Sequence, residues 1–257
     1  MKHIWKFTLP AHLIGLASLA YVIATGQYWF LAVAVAMWAL LSIGVEVGIH
    51  RLFSHRSFET PRWIEVCLMY LGTIAGQGSI PFWVAVHKGY HHPYADTEKD
   101  PHTPTKGLWH GYVGWLIDDT QNKLNYRSVV SLLRDPKQAF FHEHYYKTII
   151  LTILILAVIH PLLAGMYFFA TTIAIQQNFI VNVCCHTSSL GYRSFDTKDL
   201  SRNVKFLSIP SWGLSLHNNH HHDPGNWNLS KSPTELDISA WVIKMISTSR
   251  RAAREML

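Results

Sequence analysis

Histidines in three short clusters are the residues of this chain with the clearest capacity for chemistry. They occur as HRLFSH at 50–55, HKGYHH at 87–92 and HNNHHH at 217–222. Neutral imidazole is the commonest metal ligand among side chains, and it suits iron as well as zinc and copper. One histidine of this kind would be an ordinary surface or capping residue. Three clusters at ligand spacing in one chain predict a metal site.

The spacing inside the clusters predicts which side chains share a helix face. His87 and His91 are four residues apart, and Asn182 and His186 repeat that spacing. Residues at i and i+4 lie above one another on an α-helix. In the third cluster, 217–221, the histidines fall at i, i+3 and i+4. We therefore expect short helices to present these imidazoles toward one centre.

The composition indicates a membrane protein. Hydrophobic residues make up 49% of the chain and charged residues only 15%, against the quarter or so that is usual in soluble domains. The net charge of +6 would also suit nucleic acid. However, the basic residues border apolar segments without a known nucleic-acid motif, so we expect no nucleic-acid partner. Cys67, Cys184 and Cys185 form neither a disulfide framework nor a CxxC pair, which favours small buried residues.

Four apolar segments predict two helical hairpins in the membrane. The spans are expected at roughly 8–25, 28–50, 140–159 and 162–185. The second is long enough to cross a hydrocarbon core of about 30 Å. Neither hairpin tip contains lysine or arginine, so the positive-inside rule places both termini and the segments 51–139 and 186–257 in the cytoplasm. All three histidine clusters then lie on one side of the membrane.

Two further segments are expected to cover that side. The stretch Ile64–Val84 is apolar, but it contains several glycines and Pro81. If it crossed the membrane, the second and third clusters would face opposite sides, so we expect an amphipathic helix at the interface or over the site. The segment from Asp237 is expected to be a helix that Asp237 caps, packed on the cytoplasmic region or the membrane surface.

These pieces, in this order, resemble the membrane fatty-acid desaturase family, and most closely its Δ9-type acyl-lipid and stearoyl-CoA branch. Besides the three boxes, the resemblance includes DTEKDPH at 96–102, Gly114–Trp115 and the run from Asn182 through His186 to Arg193. It extends from about His12 to about Trp241. It implies an all-α integral membrane protein, with four transmembrane helices in two hairpins and a cytoplasmic helical cap that holds a di-iron site.

Carried over residue by residue, the resemblance implies nine histidine ligands and one water-mediated ligand. The histidines are His50, His55, His87, His91, His92, His186, His217, His220 and His221, and Asn182 would hold a metal-bound water. Three residues separate His87 from His91, where this branch usually has two, but the pair still shares a helix face. His222 falls outside the set. His102 lacks ligand spacing and is expected to be an ordinary structural histidine.

Acidic residues near the clusters are candidates to orient the ligands. Asp96 and Asp100 follow the second cluster, and the resemblance favours a supporting role for them. Glu46 lies within the second apolar span and precedes His50 by four residues. A carboxylate inside a membrane is costly and points to function, so we expect Glu46 to hydrogen-bond a ligand histidine or a polar residue near the site.

The function that the resemblance implies is insertion of a cis double bond, at Δ9, into a long saturated acyl group carried on a lipid or a thioester. O2 would be the oxidant, and two iron ions the cofactor. The family places the closed end of its acyl tunnel between the first two spans, where Ala34 and Trp38 are candidate end residues. Electrons would come from an external donor, ferredoxin or cytochrome b5, which a basic cytoplasmic face could steer.

Two alternatives remain open at this point. A membrane fatty-acyl or alkane hydroxylase would use the same kind of site but leave oxygen in its product; the short chain, the four spans and the third histidine box argue against it. A metal transporter with histidine-rich loops belongs to another class. Transport requires polar ligands near the middle of the membrane, whereas these histidines cluster at span ends and in loops. Two tightly bound irons, as opposed to metal flux, would separate the classes.

Overall fold

The computed structural model describes residues 5–118 and 126–248, and within these ranges the chain is helical without any β-strand. The α-helices are α1 Trp5–Ala24, α2 Trp29–Ser42, α3 Arg62–Ile74, α4 Ile80–Val86, α5 His92–Tyr94, α6 Leu108–Tyr112, α7 Val130–Leu133, α8 Pro136–Glu143, α9 Tyr145–Ile159, α10 Pro161–Cys184, α11 His217–His222 and α12 Ile238–Ile246. Two π-helices, π1 Ile43–Ser54 and π2 His87–His91, continue α2 and α4 without a break. The all-α expectation is confirmed for the described residues.

Two helices are long and apolar enough to cross a membrane, Lys6–Ala24 and the continuous helix Trp29–Ser54. The third expected span, 140–159, is divided at His144 into α8 and α9, which are bent by 71°. Counted as one bent span, this pair brings the total to three. The fourth expected span corresponds to α10, which is 24 residues long but less apolar because it carries glutamines and asparagines. The four-span topology therefore stays a prediction.

Helix α10 is the centre of the apolar bundle, because α1, α2 and α9 all pack along it. Its buried side chains include Met166, Tyr167 and Ile175. The helices approach closely where small residues allow it. A Cβ on Gly15 of α1 would lie 2.8 Å from the backbone of Phe169 in α10, so this position accepts only glycine without a shift of one helix.

The segment Ile64–Val84 is not the single helix that its apolar pattern suggests. It forms α3 and α4, which are separated by a turn in which Gly76 and Gly78 have positive φ. At about 1.5 Å per residue, the 13 residues of α3 reach only about 20 Å. Helix α3 packs against π1, and α4 leads directly into the histidines at 87–92. The expectation of one amphipathic covering helix is thus replaced by two helices, of which the second carries ligand candidates.

The C-terminal helix begins as predicted. The Asp237 carboxylate accepts a hydrogen bond from the Ala240 backbone N–H at 3.1 Å, and α12 follows from Ile238 to Ile246. Ala240 and Ile243 are buried in a core shared with Val47 of π1 and Met69 of α3. The prediction extended this helix to Leu257, but α12 ends at Ile246, where Ser247 has an extended backbone; residues 249–257 lie outside the described ranges. Helix α12 therefore fastens the C-terminal region to the helices that carry the histidines.

Candidate metal centre

Two π-helical segments determine how the histidines at 50–55 and at 87–92 are arranged. In π1, the hydrogen bonds run from residue i+5 back to residue i; the His55 N–H, for example, donates to the His50 carbonyl at 3.2 Å. Side chains five residues apart therefore come to the same side, and the His50 and His55 rings lie 5.1 Å apart. Single turns of π-helix are rare and are frequent at functional sites.

The same geometry adds a contact among the histidines at 87–92 that the sequence spacing did not indicate. Their sequence spacing predicts His87 with His91 on one α-helical face. In the structure, the Nε2 atoms of His87 and His92 are 3.0 Å apart, and His91 points to another group of imidazoles. His87 and His91 do lie close together, with ring centres 5.7 Å apart, but the π-helical turn also brings residue i+5 round to the side of residue i, so His87 meets His92.

Five imidazoles form what we call the first histidine cluster: His50, His55, His87, His92 and His220. The Nε2 atom of His220 lies 3.0 Å from that of His50 and 2.9 Å from that of His92. His87 Nε2 lies 3.0 Å from His55 Nε2. Ligand atoms held at about 2.1 Å from one ion, at right angles, are about 3.0 Å apart. These facing nitrogens thus have the spacing of ligands around a shared cation.

Four imidazoles form the second histidine cluster: His91, His186, His217 and His221. His221 Nε2 lies 3.2 Å from His91 Nε2 and 3.1 Å from His217 Nε2. The His186 ring is 4.9 Å from that of His217. The two clusters touch through the adjacent residues His220 and His221. The structure thus brings together all nine histidines that the sequence singled out, divided five and four.

Three aspartates fix the orientation of second-cluster rings. Asp96 lies 2.9 Å from His186 Nδ1, Asp100 lies 3.0 Å from His91 Nδ1, and Asp199 lies 2.9 Å from His221 Nδ1. A proton held on Nδ1 by a carboxylate leaves the Nε2 lone pair directed at the cluster, which is the usual arrangement around metal-binding histidines. Asp96 and Asp100 were candidates from the sequence.

Asp199 was missed, because it lies in a loop 22 residues before its partner His221 and no motif marks it. We expect Asp199→Asn to lower the metal affinity of the second cluster by about 10- to 100-fold, since that is the usual cost of removing such a partner. Metal titration of the purified apoprotein measures this. Asp196→Asn is the matched control, because the Asp196 side chain is fully exposed. Equal affinities for the two variants would contradict the role of Asp199.

Burial prepares the imidazoles to bind a cation. It lowers the pKa of His87, His92, His217 and His220 well below the usual value, and that of His221 to about 4. Near neutral pH these rings are uncharged and their lone pairs are free. Burial would raise the pKa of Asp100, but the adjacent His91 holds it well below its usual range, so Asp100 is ionised. The site is electrostatically suited to a metal cation.

A cavity extends from the clusters into the bundle. His91, His217 and Asn182 line it at the cluster end, and Ile175 and Phe179 of α10 line its apolar middle. Thr8, Gly76 and Gln77 line it farther from the clusters. The cavity is thus a mostly apolar space that leads to metal-ligand candidates. Asn182, the predicted water-mediated ligand, faces it.

His102 also lines the cavity and was not predicted to take part. Its ring lies 4.4 Å from that of His91, and its side chain is buried. Burial lowers the pKa of His102 to about 3, so the ring is neutral. A turn separates His102 from the histidines at 87–92, so its position in the sequence gave no helical periodicity that would mark it as a candidate.

The two predicted tunnel-end residues lie elsewhere. Ala34 is buried among Val22, Phe30 and Met166, between α1, α2 and α10. Trp38 donates a hydrogen bond from Nε1 to Gln177 Oε1 at 3.3 Å. Neither residue lines the cavity described above, and their role in a tunnel stays a prediction. His222, which the sequence excluded, stacks on Phe195 with ring centres 3.9 Å apart.

An apolar helical bundle with nine imidazoles converging at one end of a cavity is compatible with a metal-dependent membrane enzyme. The sequence profile of the family named Fatty acid desaturase matches residues 26–230. Delta-9 acyl-lipid desaturase 2 of Arabidopsis thaliana is 33% identical over 93% of this chain and 78% of its own length. The sn-1 stearoyl-lipid 9-desaturase of Synechocystis sp. is 31% identical over 91% of this chain and 69% of its own.

A third relative is named for a different activity. The hex-5-enoyl-[acyl-carrier protein] acetylenase of Moorena producens is 34% identical over 73% of this chain and 64% of its own length. Taken together, these matches show that the chain belongs to the fatty acid desaturase family. It is an oxidoreductase that acts on fatty acyl groups, and the resemblance stated from the histidine boxes is confirmed.

Proposed function

We propose that this protein inserts a cis double bond at the Δ9 position of a long saturated acyl chain, with O2 as the oxidant. The observation that carries the proposal is the convergence of nine buried imidazoles at one end of an apolar cavity. Relatives named as Δ9 acyl-lipid desaturases support the position of the double bond and an acyl-lipid substrate. A thioester carrier is the alternative.

We propose two iron ions as the cofactor, one at each histidine cluster. The donor set is entirely imidazole nitrogen, which suits iron, and the buried Nε2 atoms of each cluster face one another at ligand spacing. Iron bound there would supply the oxidising power, drawn from O2, that an unactivated methylene requires. Asp96, Asp100 and Asp199 would hold the rings in place, and Asn182 would hold a water.

The cavity walls would bind and orient the acyl chain. Phe82, Val86, Ile175 and Phe179 offer apolar contact next to His87 and His91. Such walls exclude bulk water, and this protects a reactive site from side reactions. Binding along the cavity would fix which methylene pair lies nearest the clusters, and thus the position of the double bond.

We propose the four-span topology with both termini and the site in the cytoplasm. The polar residues of α10 support its assignment as a span, because they are bonded inside the bundle. Gln176 contacts His12 Nε2 at 2.7 Å and Tyr112, and Asn178 donates to the Ala174 carbonyl at 3.3 Å. Polar groups satisfied in this way are tolerated within a membrane.

An external protein would supply the electrons. Lys88 is exposed, and so is Arg56; each adjoins a ligand candidate of the first cluster, His87 and His55 respectively. An acidic donor would be steered toward such a surface. We propose ferredoxin, with cytochrome b5 as the alternative.

Expression in cells that lack Δ9 activity tests the proposed reaction. We expect a new monounsaturated fatty acid with its double bond at C9, and separation of the lipid classes before hydrolysis would locate its carrier. A double bond at another position would correct the regiochemistry. No new product, with an electron donor supplied, would contradict the proposed function.

The same assay tests the predicted tunnel end. If Trp38 closes the tunnel, Trp38→Ala should shift the products toward longer acyl chains, because the removed indole makes room for additional methylenes. Ile175→Trp is the contrasting variant, since Ile175 lines the cavity; it should shift the products toward shorter chains. An unchanged chain-length profile in Trp38→Ala would show that Trp38 does not end the tunnel.

A further inference from the structure

A polar chain crosses the buried contact between α2, π1 and α10. The side chain of Gln177 in α10 is its centre. Gln177 Oε1 accepts hydrogen bonds from Trp38 Nε1 at 3.3 Å and from Ser42 Oγ at 3.2 Å. Gln177 Nε2 donates to Glu46 Oε1 at 3.4 Å. Ser42 and Glu46 have no exposed surface, and Gln177 is 7% exposed, so this chain is shielded from solvent.

The other oxygen of Glu46 faces the first histidine cluster. Glu46 Oε2 lies 3.4 Å from His50 Nδ1, and neither atom makes a hydrogen bond to any other described residue. A buried carboxylate is stable only where neighbouring groups hold it. This carboxylate is therefore held by Gln177, with Asn178 as a further side-chain partner, and directed at His50 on its other side.

The two clusters differ in how their rings are supported. In the second cluster, three aspartates lie 2.9–3.0 Å from Nδ1 atoms. In the first cluster, Glu46 is the one carboxylate that the described residues place against a ring nitrogen. Partners of this kind orient a ligand and raise its basicity. Among the described residues, the first cluster is thus supported by a single carboxylate, and Gln177 is the main hydrogen-bond partner of that carboxylate, with Asn178 as the second.

We propose that Gln177 is a positioning residue that holds Glu46 against His50 and thereby sets the metal affinity of the first cluster independently of the second. This inference rests on the proposed function, because it requires that each cluster binds a metal ion. Since Gln177 belongs to α10 and Glu46 to π1, the packing of these two helices is coupled to one of the two metal positions.

Stepwise metal binding tests the proposal. The full-length protein in detergent is stripped of metal, titrated anaerobically with Co(II), and separately loaded with 57Fe for Mössbauer spectroscopy. We expect the parent protein to bind two ions. In Gln177→Leu and Glu46→Gln, we expect the affinity for one ion to fall by about 10-fold or more, with a changed signal from one iron and an unchanged signal from the other.

A neighbouring residue provides the matched control. Gln176 bonds His12 and Tyr112, away from Glu46. Gln176→Leu removes the same amide from the same helix, so it should leave both metal affinities as in the parent. If Gln176→Leu and Gln177→Leu weaken metal binding equally, the effect reflects general helix packing and the proposal is overturned.

An exchanged pair separates positioning from folding stability. The double variant Glu46→Gln, Gln177→Glu restores an amide–carboxylate contact between the helices but moves the charge away from His50. We expect its melting temperature to recover toward that of the parent, while the first affinity stays low. Recovery of both quantities would overturn the positioning role. If the parent protein itself binds fewer than two ions, that result contradicts the proposed function as well as this inference.

Discussion

Replacement of His220 by alanine is expected to abolish metal binding at the first histidine cluster and, with it, formation of the unsaturated product. His220 Nε2 lies 3.0 Å from His50 Nε2 and 2.9 Å from His92 Nε2, so it bridges π1 and the histidines at 87–92. Loss of a mere supporting partner costs about 10- to 100-fold in affinity, and loss of a ligand at a buried five-histidine site should cost more. We therefore expect one metal ion per chain in the purified variant, where the parent has two.

His222 offers a control two residues along the same short helix. Its ring stacks on Phe195 and lies outside both clusters. His222→Ala should keep two metal ions and should still form product. Metal analysis of the purified proteins, combined with product analysis of the same samples, compares the two variants. A His220→Ala protein with two bound ions and normal turnover would contradict the proposed ligand set.

Removal of the Asp237 carboxylate is expected to cause a large loss of stability. Arg51, next to His50, is 1% exposed, and its guanidinium donates to both Asp237 oxygens at 2.9 Å and to the Trp227 carbonyl at 2.6 Å. Breaking a buried pair by removing one partner costs about 3–5 kcal/mol, since the other charge is left without compensation. Asp237 also accepts from the Leu229 and Ala240 backbone N–H groups. Asp237→Ala should therefore loosen α12 from π1.

Thermal melting in detergent measures this loss. For a chain of this length, about 3–5 kcal/mol corresponds to a fall in Tm of about 6–20 °C. Arg62 is the control, because its pairs with Glu65 and Asp135 are exposed, with 47% of the Arg62 side chain accessible, and such pairs contribute at most about 1 kcal/mol. Similar shifts for Asp237→Ala and Arg62→Ala would show that the buried pair does not lock the C-terminal region in place.

The sequence predicted which histidines converge but not how they are divided between two groups. Periodicity and the family resemblance singled out nine histidines, and the structure places all nine within two adjoining clusters. The pairing of His87 with His92, which the sequence spacing did not indicate, follows from the π-helical turn at 87–91. Spacing rules assume 3.6 residues per turn, so they cannot anticipate a segment that winds less tightly.

Supporting residues were the hardest to predict. Glu46, Asp96 and Asp100 could be named because they lie within a turn or two of a ligand candidate. Asp199 and His102 carry no local signal, and only the folded chain shows that they adjoin His221 and His91. The Arg51–Asp237 pair, 186 residues apart in sequence, is another contact that depends entirely on tertiary structure.

The predicted helix bounds were accurate where apolar runs were continuous and less accurate where polar groups intervened. The second span extends to Ser54 because π1 continues α2, and the third bends at His144. The segment at 64–84 breaks at Gly76 and Gly78, whose positive φ values suit glycine. Hydropathy patterns do not predict such turns, since the turns depend on backbone geometry at single residues.

Oxidation of a saturated acyl lipid by the purified protein under 18O2 tests the central claim most directly. The protein is loaded with iron and supplied with reduced ferredoxin, and the acyl products are analysed by mass spectrometry with location of the double bond. The account predicts a cis C9 double bond, no 18O in the acyl chain, and two metal ions per active chain. An 18O-labelled hydroxyacyl product would instead assign the site to hydroxylation and would contradict the proposed reaction.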